Sequence, residues 1–318
     1  MVETGPTVVE SQRRGAKGRG GRIPGAPAGQ AAFTLTMRDP APVPVLIAVP
    51  HAGRAYPAEF TDTMRNQAAA CLRLEDRFAD LVAEAVARET GAALLVAHAP
   101  RALIDLNRAP DDVDWDMVAG GAGERRTRHA AGRRARSGLG LVPRRLPGLG
   151  ELWRRKMTAD ELASRIEQVH QPYHAALSEG LEQLRDRWGA ALLIDLHSMP
   201  PLGPKRGHDA AADFVVGDRF GASCDGVLSA AALDHFSIAG RRAAHNRPYA
   251  GGYVLDRHGA TARGLQAMQV EICRSTYLDA QLREPGPGLA AVARVLAGLV
   301  RRMAEELAVG RSLPQAAE

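Results

Sequence analysis

The sequence lacks the features that mark several large protein classes. Its three cysteines, Cys71, Cys224 and Cys273, show no CxxC spacing, which argues against a disulfide framework or a thiolate zinc site and favours a reducing compartment. No apolar run approaches the about 20 residues that cross a bilayer, and no apolar secretory segment opens the chain. The GxGxxG, GxxxxGK(S/T) and GxSxG motifs of nucleotide-binding proteins and serine hydrolases are absent. We therefore expect a cytoplasmic protein that is neither membrane-spanning nor secreted. It is also expected to be neither a nucleotide-binding protein nor a serine hydrolase with these motifs.

The positive charge is unevenly distributed along the chain. The net charge is +5 and the isoelectric point is near 9.4, which raises the question of nucleic-acid binding. However, the basic residues cluster in a Gly/Pro/Ala-rich leader and in a second stretch at 125–145. We interpret both as solvated surface, and the alternative for the second is a loop that attracts an anionic substrate. Nucleic acid is therefore not the expected partner, and no membrane partner is expected either.

Apolar periodicity predicts an α/β fold. Residues 1–32 cannot bury enough apolar surface and are predicted to be a disordered leader, followed by a single domain at 33–307 and a flexible tail at 308–318. Strands are predicted at 45–49, 93–97, 101–106, 192–195, 213–217 and 267–272, and helices at 76–90, 159–188 (interrupted by Pro172) and 288–307. This alternation predicts a three-layer sandwich, with a central, mostly parallel (mixed) sheet flanked by helices.

Two predicted strands end in histidines. The apolar run 45–49 leads into His51, and the run that ends at Ile194 continues into Asp195, His197 and Ser198. In open α/β sheets, ligands bind beyond the carboxyl ends of the strands. Two imidazoles and one carboxylate form the usual three-ligand catalytic zinc site. Glu75 and Asp76 are the candidates for the third ligand, although paired acids also occur at helix N-termini to complement the dipole.

Other polar residues near strand ends suggest further roles. Asp195 could orient a ligating histidine from behind. Glu271 ends a buried apolar run, and we interpret it as a general base, with an arginine partner as the alternative. Arg101, Asn107 and Arg108 flank the predicted strand 101–106, and arginine is suited either to holding a carboxylate or to an edge salt bridge. Glycines in the turn with Tyr249, Gly251 and Gly252 allow close backbone approach to a ligand.

A series of motifs across the chain resembles the N-formylglutamate amidohydrolase family over about residues 44–277. The motifs are Pro50-His51-Ala52-Gly53-Arg54, Glu75-Asp76, Arg101 with Asp105-Leu106-Asn107-Arg108, Asp195-Leu196-His197-Ser198, Gly217-Asp218-Arg219-Phe220-Gly221, Pro248-Tyr249-Ala250-Gly251-Gly252 and Gln269-Val270-Glu271-Ile272. The resemblance implies a single catalytic domain with a phosphorylase/hydrolase-like fold related to the zinc carboxypeptidases and acyl-amino-acid deacylases.

The resemblance also implies site residues. His51 and His197 would bind one zinc ion, Glu271 would be the base, and Asp76 or Glu75 would be the third ligand. Asp76 is favoured because an acid at this position is common to more branches of the family. Zinc carboxypeptidases place their acidic ligand three residues after the first histidine, and that position is Arg54 here. The acid must therefore come from elsewhere in the chain.

The resulting hypothesis is a zinc-dependent amidohydrolase. It would cleave the linear amide of a small anionic N-acyl amino acid, most simply N-formyl-L-glutamate to formate and L-glutamate, a reaction of histidine degradation. Arg101 would assist at the oxyanion. The substrate would contact Asn107, Arg108, Arg136, Tyr249, Gly251 and Gly252. The alternatives are a deacylase of another N-acyl amino acid or small peptide, a non-catalytic binding protein on the same fold, and a nucleic-acid-associated protein using the basic leader. The oligomeric state is open, a homo-oligomer included.

Overall fold

The computed structural model describes residues 16–120, 132–205, 207 and 210–309 of the 318-residue chain. Within them, ten strands form an eight-stranded sheet and a separate two-stranded pair. The strands are β1 Ala16–Gly20, β2 Phe33–Met37, β3 Val45–Val49, β4 Ala93–Ala97, β5 Arg145–Leu146, β6 Gly150–Glu151, β7 Ala191–Met199, β8 Phe214–Gly217, β9 Ala243–His245 and β10 Leu265–Cys273.

Helices cover both faces of the large sheet. They are α1 Ala58–Asp62, α2 Gln67–Leu74, α3 Ala79–Thr90, α4 Arg133–Arg136, α5 Ala159–Arg165, α6 Gln171–Trp188, α7 Gly226–Ile238, α8 Tyr253–His258 and α9 Leu289–Val309. Helices α3, α7 and α9 pack on one face, and α6 packs on the other. In the described part of the chain, no helix combines the length and the apolar character needed to cross a membrane.

The sheet is mixed, with a parallel centre. Its strand order is β1-β2-β4-β3-β7-β10-β8-β9. The neighbours β4, β3, β7 and β10 run parallel, whereas β2 is antiparallel to β4 and β8 is antiparallel to β10. All residues of the four central strands are buried, as the continuous apolar runs predict for strands covered on both faces. The predicted three-layer fold is therefore confirmed.

The pairing of β7 with β10 brings polar residues together at one end of the sheet. In this parallel ladder, His197 lies opposite Glu271 and Asp195 lies opposite Gln269. Side chains two residues apart on a strand share a face. These four side chains therefore extend the face that carries Leu193 in the core. An apolar sheet face becomes polar at the carboxyl ends of its strands.

The predicted strand at 101–106 is wrong. This segment forms turns, with the Leu103 amide donating to the Pro100 carbonyl at 2.9 Å and the Asp105 amide donating to the Leu141 carbonyl at 2.7 Å. Its apolar side chains, Leu103 among them, are nevertheless buried. A short apolar run indicates burial but does not specify an extended backbone.

The predicted domain start at residue 33 is also wrong, because residues 16–32 belong to the fold. Strand β1 pairs with β2, and Ile23 is fully buried. The Arg22 amide donates to the carbonyl of Gln168 at 2.8 Å, a carbonyl that Pro172, four residues later, cannot satisfy because it has no N–H. An edge strand needs backbone partners more than apolar side chains, so composition alone missed it. Residues 1–15 of the predicted leader lie outside the described residues.

The other predicted boundaries are close to the observed ones. Helical structure spans residues 159–188, and the interruption takes the form of a π-helical turn at Ile166–His170, just before Pro172. Helix α9 ends at Val309, two residues beyond the predicted end at 307. The rest of the predicted tail, 310–318, lies outside the described residues.

Candidate metal centre and substrate cleft

Three buried side chains from separate parts of the chain meet at the carboxyl end of the sheet. His51 follows β3, Asp76 lies between α2 and α3, and His197 is on β7. One ligand atom from each lies within 4.8 Å of the others. Oδ2 of Asp76 is 3.1 Å from Nδ1 of His197 and 3.5 Å from Nδ1 of His51. The structure therefore brings together the three residues predicted as ligands.

Each histidine is held from behind by a second carboxylate. Nε2 of His51 lies 2.7 Å from Oδ1 of Asp105, and Nε2 of His197 lies 2.8 Å from Oδ2 of Asp195. With Nε2 protonated, the Nδ1 lone pairs face Asp76, and this arrangement is usual around ligating histidines. Nδ1 of His51 is buried and has no hydrogen-bond partner among the described residues. Two imidazole nitrogens and one carboxylate oxygen form a donor set that fits zinc.

The charges around this centre also fit a divalent cation. Four buried carboxylates surround it, from Asp76, Asp105, Asp195 and Glu271. Two arginines pair with them, Arg101 with Asp105 at 2.9 Å and Arg274 with Asp76 at 3.4 Å. In a metal-bound state, in which both imidazoles are neutral, the four ionised acids and the two arginines would leave two negative charges. Unbalanced charge is costly in a buried site, and a divalent metal ion would neutralise it.

The acids of the centre differ in their pKa values. Burial raises the pKa of Glu271, the charge of His197 opposes this, and the nearby Asp76 carboxylate adds to it, with the result that the pKa is about 7. Burial also disfavours the ionised form of Asp76, but the neighbouring His197 and His51 rings hold its pKa well below the usual range. Asp105 is likewise buried, and Arg101 keeps its pKa well below the usual range. Glu271 is thus the carboxyl group placed to exchange a proton near neutral pH.

The second oxygen of Asp76 is held by residues that sequence reasoning missed. The Ser198 hydroxyl donates to Oδ1 of Asp76 at 3.1 Å, and Nε of Arg274 donates to the Ser198 oxygen at 3.1 Å. Nη2 of Arg274 also donates to the Glu75 carbonyl at 2.6 Å. Arg274 directly follows β10, and its only signal in the sequence was a basic residue close to Glu271.

Glu75, the alternative third ligand, lies outside the cluster. Its Oε1 accepts a hydrogen bond from the Tyr56 hydroxyl at 2.8 Å, and its Oε2 pairs with Arg77 at 2.7 Å. Both carboxylate oxygens are therefore engaged away from His51 and His197. The geometry favours Asp76 as the residue that completes the donor set.

Asn107 and Gln269 connect Glu271 to the centre. Nε2 of Gln269 donates to Oε1 of Glu271 at 2.9 Å, and Oε1 of Gln269 accepts from Nδ2 of Asn107 at 3.3 Å. The same Asn107 nitrogen is 3.5 Å from Nε2 of His197, and Oδ1 of Asn107 accepts from the Val254 amide at 3.0 Å. The Asn107 side chain is thus tied to the protein on both sides, although its predicted role was to hold a substrate carboxylate.

A cleft of about 520 Å³ contains several predicted substrate residues, and Asn107 connects it to the centre, since His51, Asp76 and His197 do not line it themselves. Arg108, Gly251 and Gly252 line it, together with Arg219, to which no role was assigned. Tyr249 is half-buried near the centre, and burial followed by the Glu271 charge raises its pKa. Arg134, from the basic stretch at 125–145, also lines the cleft, and residues 125–131 of that stretch lie outside the described residues.

Two predicted residues have different surroundings. Arg136 is exposed on α4 and does not line the cleft. In this short helix, Ala135 is the buried residue and Arg134 is the one that lines the cleft. Its predicted role in carboxylate binding is therefore not supported by its position. Nε of Arg101 donates to Oδ2 of Asp105 at 2.9 Å. Burial opposes the charge of Arg101, but the nearby Asp105 and then Asp76 carboxylates raise its pKa.

A larger cavity, of about 920 Å³, lies between α3 and the outer strands β2 and β4. It reaches Ala52 and Gly53 but includes none of the three clustered side chains. Its size alone does not make it the reaction site, since neither Asn107, which reaches His197, nor Arg108 lines it, whereas both line the smaller cleft.

Comparison with known proteins identifies relatives of this chain. The sequence model of the family described as N-formylglutamate amidohydrolase matches residues 43–278. N-formylglutamate deformylase of Pseudomonas aeruginosa is 31% identical over 270 residues, which cover 83% of this chain and 92% of that protein. N-formylglutamate deformylase of Pseudomonas putida is 31% identical over 241 residues, covering 74% and 82%. The crystal structure of N-formylglutamate amidohydrolase from Ralstonia eutropha JMP134 superposes with a TM-score of 0.78 at 34% identity, covering 88% of this chain and 100% of that one.

Proposed function

The chain belongs to the N-formylglutamate amidohydrolase family, and from this premise we propose that it is a metal-dependent hydrolase of the formyl amide in N-formyl-L-glutamate. The products are formate and L-glutamate. The observation that carries the proposal is the group of His51, Asp76 and His197, with Glu271 opposite His197 in the sheet. This arrangement combines a metal donor set with a carboxyl group whose pKa is near neutral.

His51, Asp76 and His197 would hold the metal, and zinc is the ion that their donor atoms favour. A divalent ion there supplies Lewis acidity, which polarises the carbonyl group and makes a nearby water more acidic. Asp105 and Asp195 keep the two imidazoles in the tautomer that directs Nδ1 inward. Ser198 and Arg274 fix the orientation of Asp76.

Glu271 moves the proton during hydrolysis. It accepts a proton from the water whose oxygen forms a bond to the formyl carbon. It then delivers that proton to the nitrogen as the C–N bond breaks, so that glutamate leaves as a neutral or protonated amine. A pKa of about 7 suits both steps, because such a carboxyl group is available in both forms at neutral pH. Gln269 holds Glu271 through its amide nitrogen at 2.9 Å.

Arg101 and Arg108 stabilise negative charge on the substrate. Arg101 is positioned by Asp105 and donates to the oxyanion that develops on the formyl oxygen, an effect worth about 2.7–4 kcal/mol per donor in other enzymes. Arg108 lies at the cleft and binds a substrate carboxylate. The backbone at Gly251 and Gly252 approaches closely enough to line the bound substrate.

The direct test measures metal content and formate release together. We expect the purified chain to hold one metal ion, to release formate from N-formyl-L-glutamate, to lose this activity with a chelator and to regain it with Zn²⁺. N-acetyl-L-glutamate, N-succinyl-L-glutamate and a formylated dipeptide are the comparison substrates.

Each other outcome selects a different function. Formate release that survives complete metal removal contradicts the metal role. Faster cleavage of another acyl group or of the dipeptide indicates a deacylase of different specificity. A metal-loaded chain that binds these compounds without cleaving them indicates a binding protein on the same fold.

A further inference from the structure

The loop at 217–221 places an arginine in the cleft by an unusual backbone conformation. Arg219 and Phe220 both have positive φ angles, 55° and 57°. Side chains with a Cβ rarely adopt this region, and consecutive examples occur where the surrounding structure enforces them. The loop is the motif Gly217-Asp218-Arg219-Phe220-Gly221, whose residues have no role in the proposed function.

Asp218 enforces this conformation through a dense set of hydrogen bonds. Its carboxylate accepts from Ser229 Oγ at 2.7 Å, His245 Nε2 at 2.8 Å, Asn246 Nδ2 at 2.7 Å and the Gly221 amide at 3.0 Å. Burial opposes ionisation, but these donors, Ser229 first, lower the pKa of Asp218 to about 2. The loop is therefore anchored by a carboxylate that is ionised at any pH where the protein works.

Arg219 is oriented within the cleft by its neighbours. Its amide donates to the Ala250 carbonyl at 2.8 Å, and its side-chain Nε donates to Oδ1 of Asp256 at 2.6 Å. A Cβ at Gly251 would lie 3.4 Å from Cδ of Arg219, so the arginine stem passes over this glycine. The terminal nitrogens Nη1 and Nη2 make no hydrogen bond to any described residue, and they are available to a ligand.

A second arginine, Arg108, lines the same cleft. Arg108 uses Nε to hold the Leu139 carbonyl at 3.0 Å and Nη1 to hold the Asn107 carbonyl at 2.6 Å. It follows Asn107, whose side chain is 3.5 Å from His197. Both arginines therefore line the cleft that reaches the centre at Asn107.

We propose that Arg108 and Arg219 together make the site selective for a dicarboxylic N-acyl amino acid, with Arg108 binding the α-carboxylate and Arg219 the side-chain carboxylate. The α-carboxylate is attached to the carbon next to the amide nitrogen, so it lies near the centre. A side-chain carboxylate lies several bonds farther along the ligand, and we assign it to Arg219, the other arginine that lines the cleft. This inference rests on the proposed function, and it identifies Arg219 as the residue that determines specificity for an acidic side chain.

The test replaces Arg219 and compares two substrates of the same shape. N-formyl-L-glutamate and N-formyl-L-glutamine differ in the side-chain charge. For Arg219→Gln, we expect kcat/KM for the glutamate substrate to fall about 10- to 100-fold, mainly through KM, as expected for a lost charge-assisted hydrogen bond. For the glutamine substrate, we expect a change of less than about threefold, since a neutral amide forms the weaker bond. Arg219→Lys is expected to restore part of the preference.

The matched control is Arg263→Gln. Arg263 is also an exposed arginine in an ion pair, with Glu182 at 2.7 Å, but it is not part of the cleft. We expect it to leave the kcat/KM ratio of the two substrates unchanged. Asp256→Asn removes the ion pair of Arg219 while keeping its charge, so a purely structural role for that pair predicts equal losses in Asp256→Asn and Arg219→Gln. Thermal unfolding of each variant checks the fold.

The outcomes separate this inference from the proposed function. Equal losses on both substrates, or no loss on either, in a folded Arg219→Gln protein overturn the role of Arg219. Absence of N-formyl-L-glutamate hydrolysis by the wild type overturns the proposed function instead. In that case, calorimetric binding of L-glutamate against L-glutamine still decides the inference, because selective binding that disappears in Arg219→Gln supports it, and equal binding overturns it.

Discussion

Two groups of buried histidines contact the same loop, residues 105–108, and they differ in their hydrogen-bond partners. In the first group, the rings of His51 and His197 lie 4.8 Å apart and both contact carboxylates. In the second, the ring centroids of His170 and His258 lie 4.4 and 5.2 Å from that of His174, and the hydrogen-bond partners are backbone carbonyls and another histidine. We call these the carboxylate-bound pair and the carbonyl-bound trio.

In the trio, His258 and His174 form a neutral hydrogen-bond chain, and His170 bonds to the same loop separately. Nε2 of His174 faces the Leu106 carbonyl at 3.0 Å, so it must carry the proton. Its Nδ1 then accepts from Nε2 of His258 at 2.9 Å. His170 donates from Nε2 to the Arg108 carbonyl at 2.9 Å. The trio therefore fixes the backbone of a loop that has no regular secondary structure, and that loop carries Asp105 and Asn107.

The hydrogen-bond partners determine whether each group of histidines can bind a cation. Burial lowers the pKa of His170 and His174, and it lowers that of His258 to about 3. Burial acts the same way on His197, but Asp195 overcomes it and raises the pKa well above the usual range. Carboxylates make a histidine site attractive to cations, whereas carbonyls hold neutral rings in place. The spacing of the histidines along the sequence does not predict this difference in hydrogen-bond partners.

The strongest test of the distinction removes one histidine from each group. We expect His197→Ala to lose both the bound metal and formate release, because a donor atom is gone from the centre. His258→Gln keeps a donor for His174 and is expected to keep one metal ion per chain. Metal analysis after gel filtration provides the measurement, and loss of metal from His258→Gln would show that the two groups do not act separately.

Glu271→Gln separates proton transfer from metal binding at the carboxylate-bound pair. Glutamine keeps the size of the side chain but cannot take up a proton, so kcat is expected to fall about 10²- to 10⁴-fold. The metal content and the free energy of unfolding are expected to stay close to wild type. Retained turnover in this variant would remove Glu271 from the mechanism.

Asp105→Asn tests the carboxylate behind His51. The amide accepts a hydrogen bond less strongly than the carboxylate does, so Nδ1 becomes a weaker ligand. We expect the affinity for Zn²⁺ to fall about 10- to 100-fold, measured by competition with a chelating dye. Asp160→Asn, at an exposed position on the first turn of α5, is the control and is expected to bind Zn²⁺ as tightly as wild type. Equal affinities in both variants would contradict the supporting role of Asp105.

His174→Phe tests the carbonyl-bound trio. The ring volume is roughly kept, but the Leu106 carbonyl loses its donor in a buried site. We expect the free energy of unfolding to fall by about 1–3 kcal/mol, while the folded protein still binds one metal ion. Urea unfolding followed by circular dichroism measures the loss, and a loss of metal without a loss of stability would place His174 in the metal centre instead.

The smallest expected effect is a pH dependence from His258. In the unfolded chain, its pKa is about 6.5, whereas in the folded protein it is about 3. As pH falls below about 6.5, the unfolded state binds a proton that the folded state does not, so the folded state loses stability. Between pH 7.5 and 5.5, this costs about 1 kcal/mol.

His258→Gln lacks this proton-binding group. The stability advantage of wild type over the variant is therefore expected to shrink by that amount between the two pH values, as measured by urea unfolding. An advantage that grows at the lower pH would mean that the folded protein protonates His258.

The sequence predicted the parts of the centre that local patterns encode. His51 and His197 follow apolar runs, and Glu271 interrupts one, so each was visible as a polar residue where a buried strand ends. The central strands were predicted for the same reason, since runs such as 45–49 and 93–97 match β3 and β4.

The parts of the structure that the sequence did not predict depend on contacts between segments that are far apart in the sequence. Asp105 pairs with His51 across 54 residues, and Arg274 contacts Ser198 across 76, and no local spacing records either contact. Strand β1 has a composition typical of a flexible leader, and only its pairing with β2 makes it ordered. Arg219 was visible in a motif, but its position in the cleft depends on how Asp218 shapes the backbone.

The parallel register of β7 and β10 fixes the reacting groups independently of the residues that select the substrate. His197 and Glu271 are fixed by the backbone ladder of a buried sheet, which substitutions in distant loops do not displace. Arg108 and Arg219 lie on loops, where sequence change is tolerated most readily. Evolution can therefore redirect this fold to other acyl amino acids by changing its loops while the reacting groups stay in place. The same division gives protein engineers a small set of positions, 217–221 and 248–252, in which to search for new substrates.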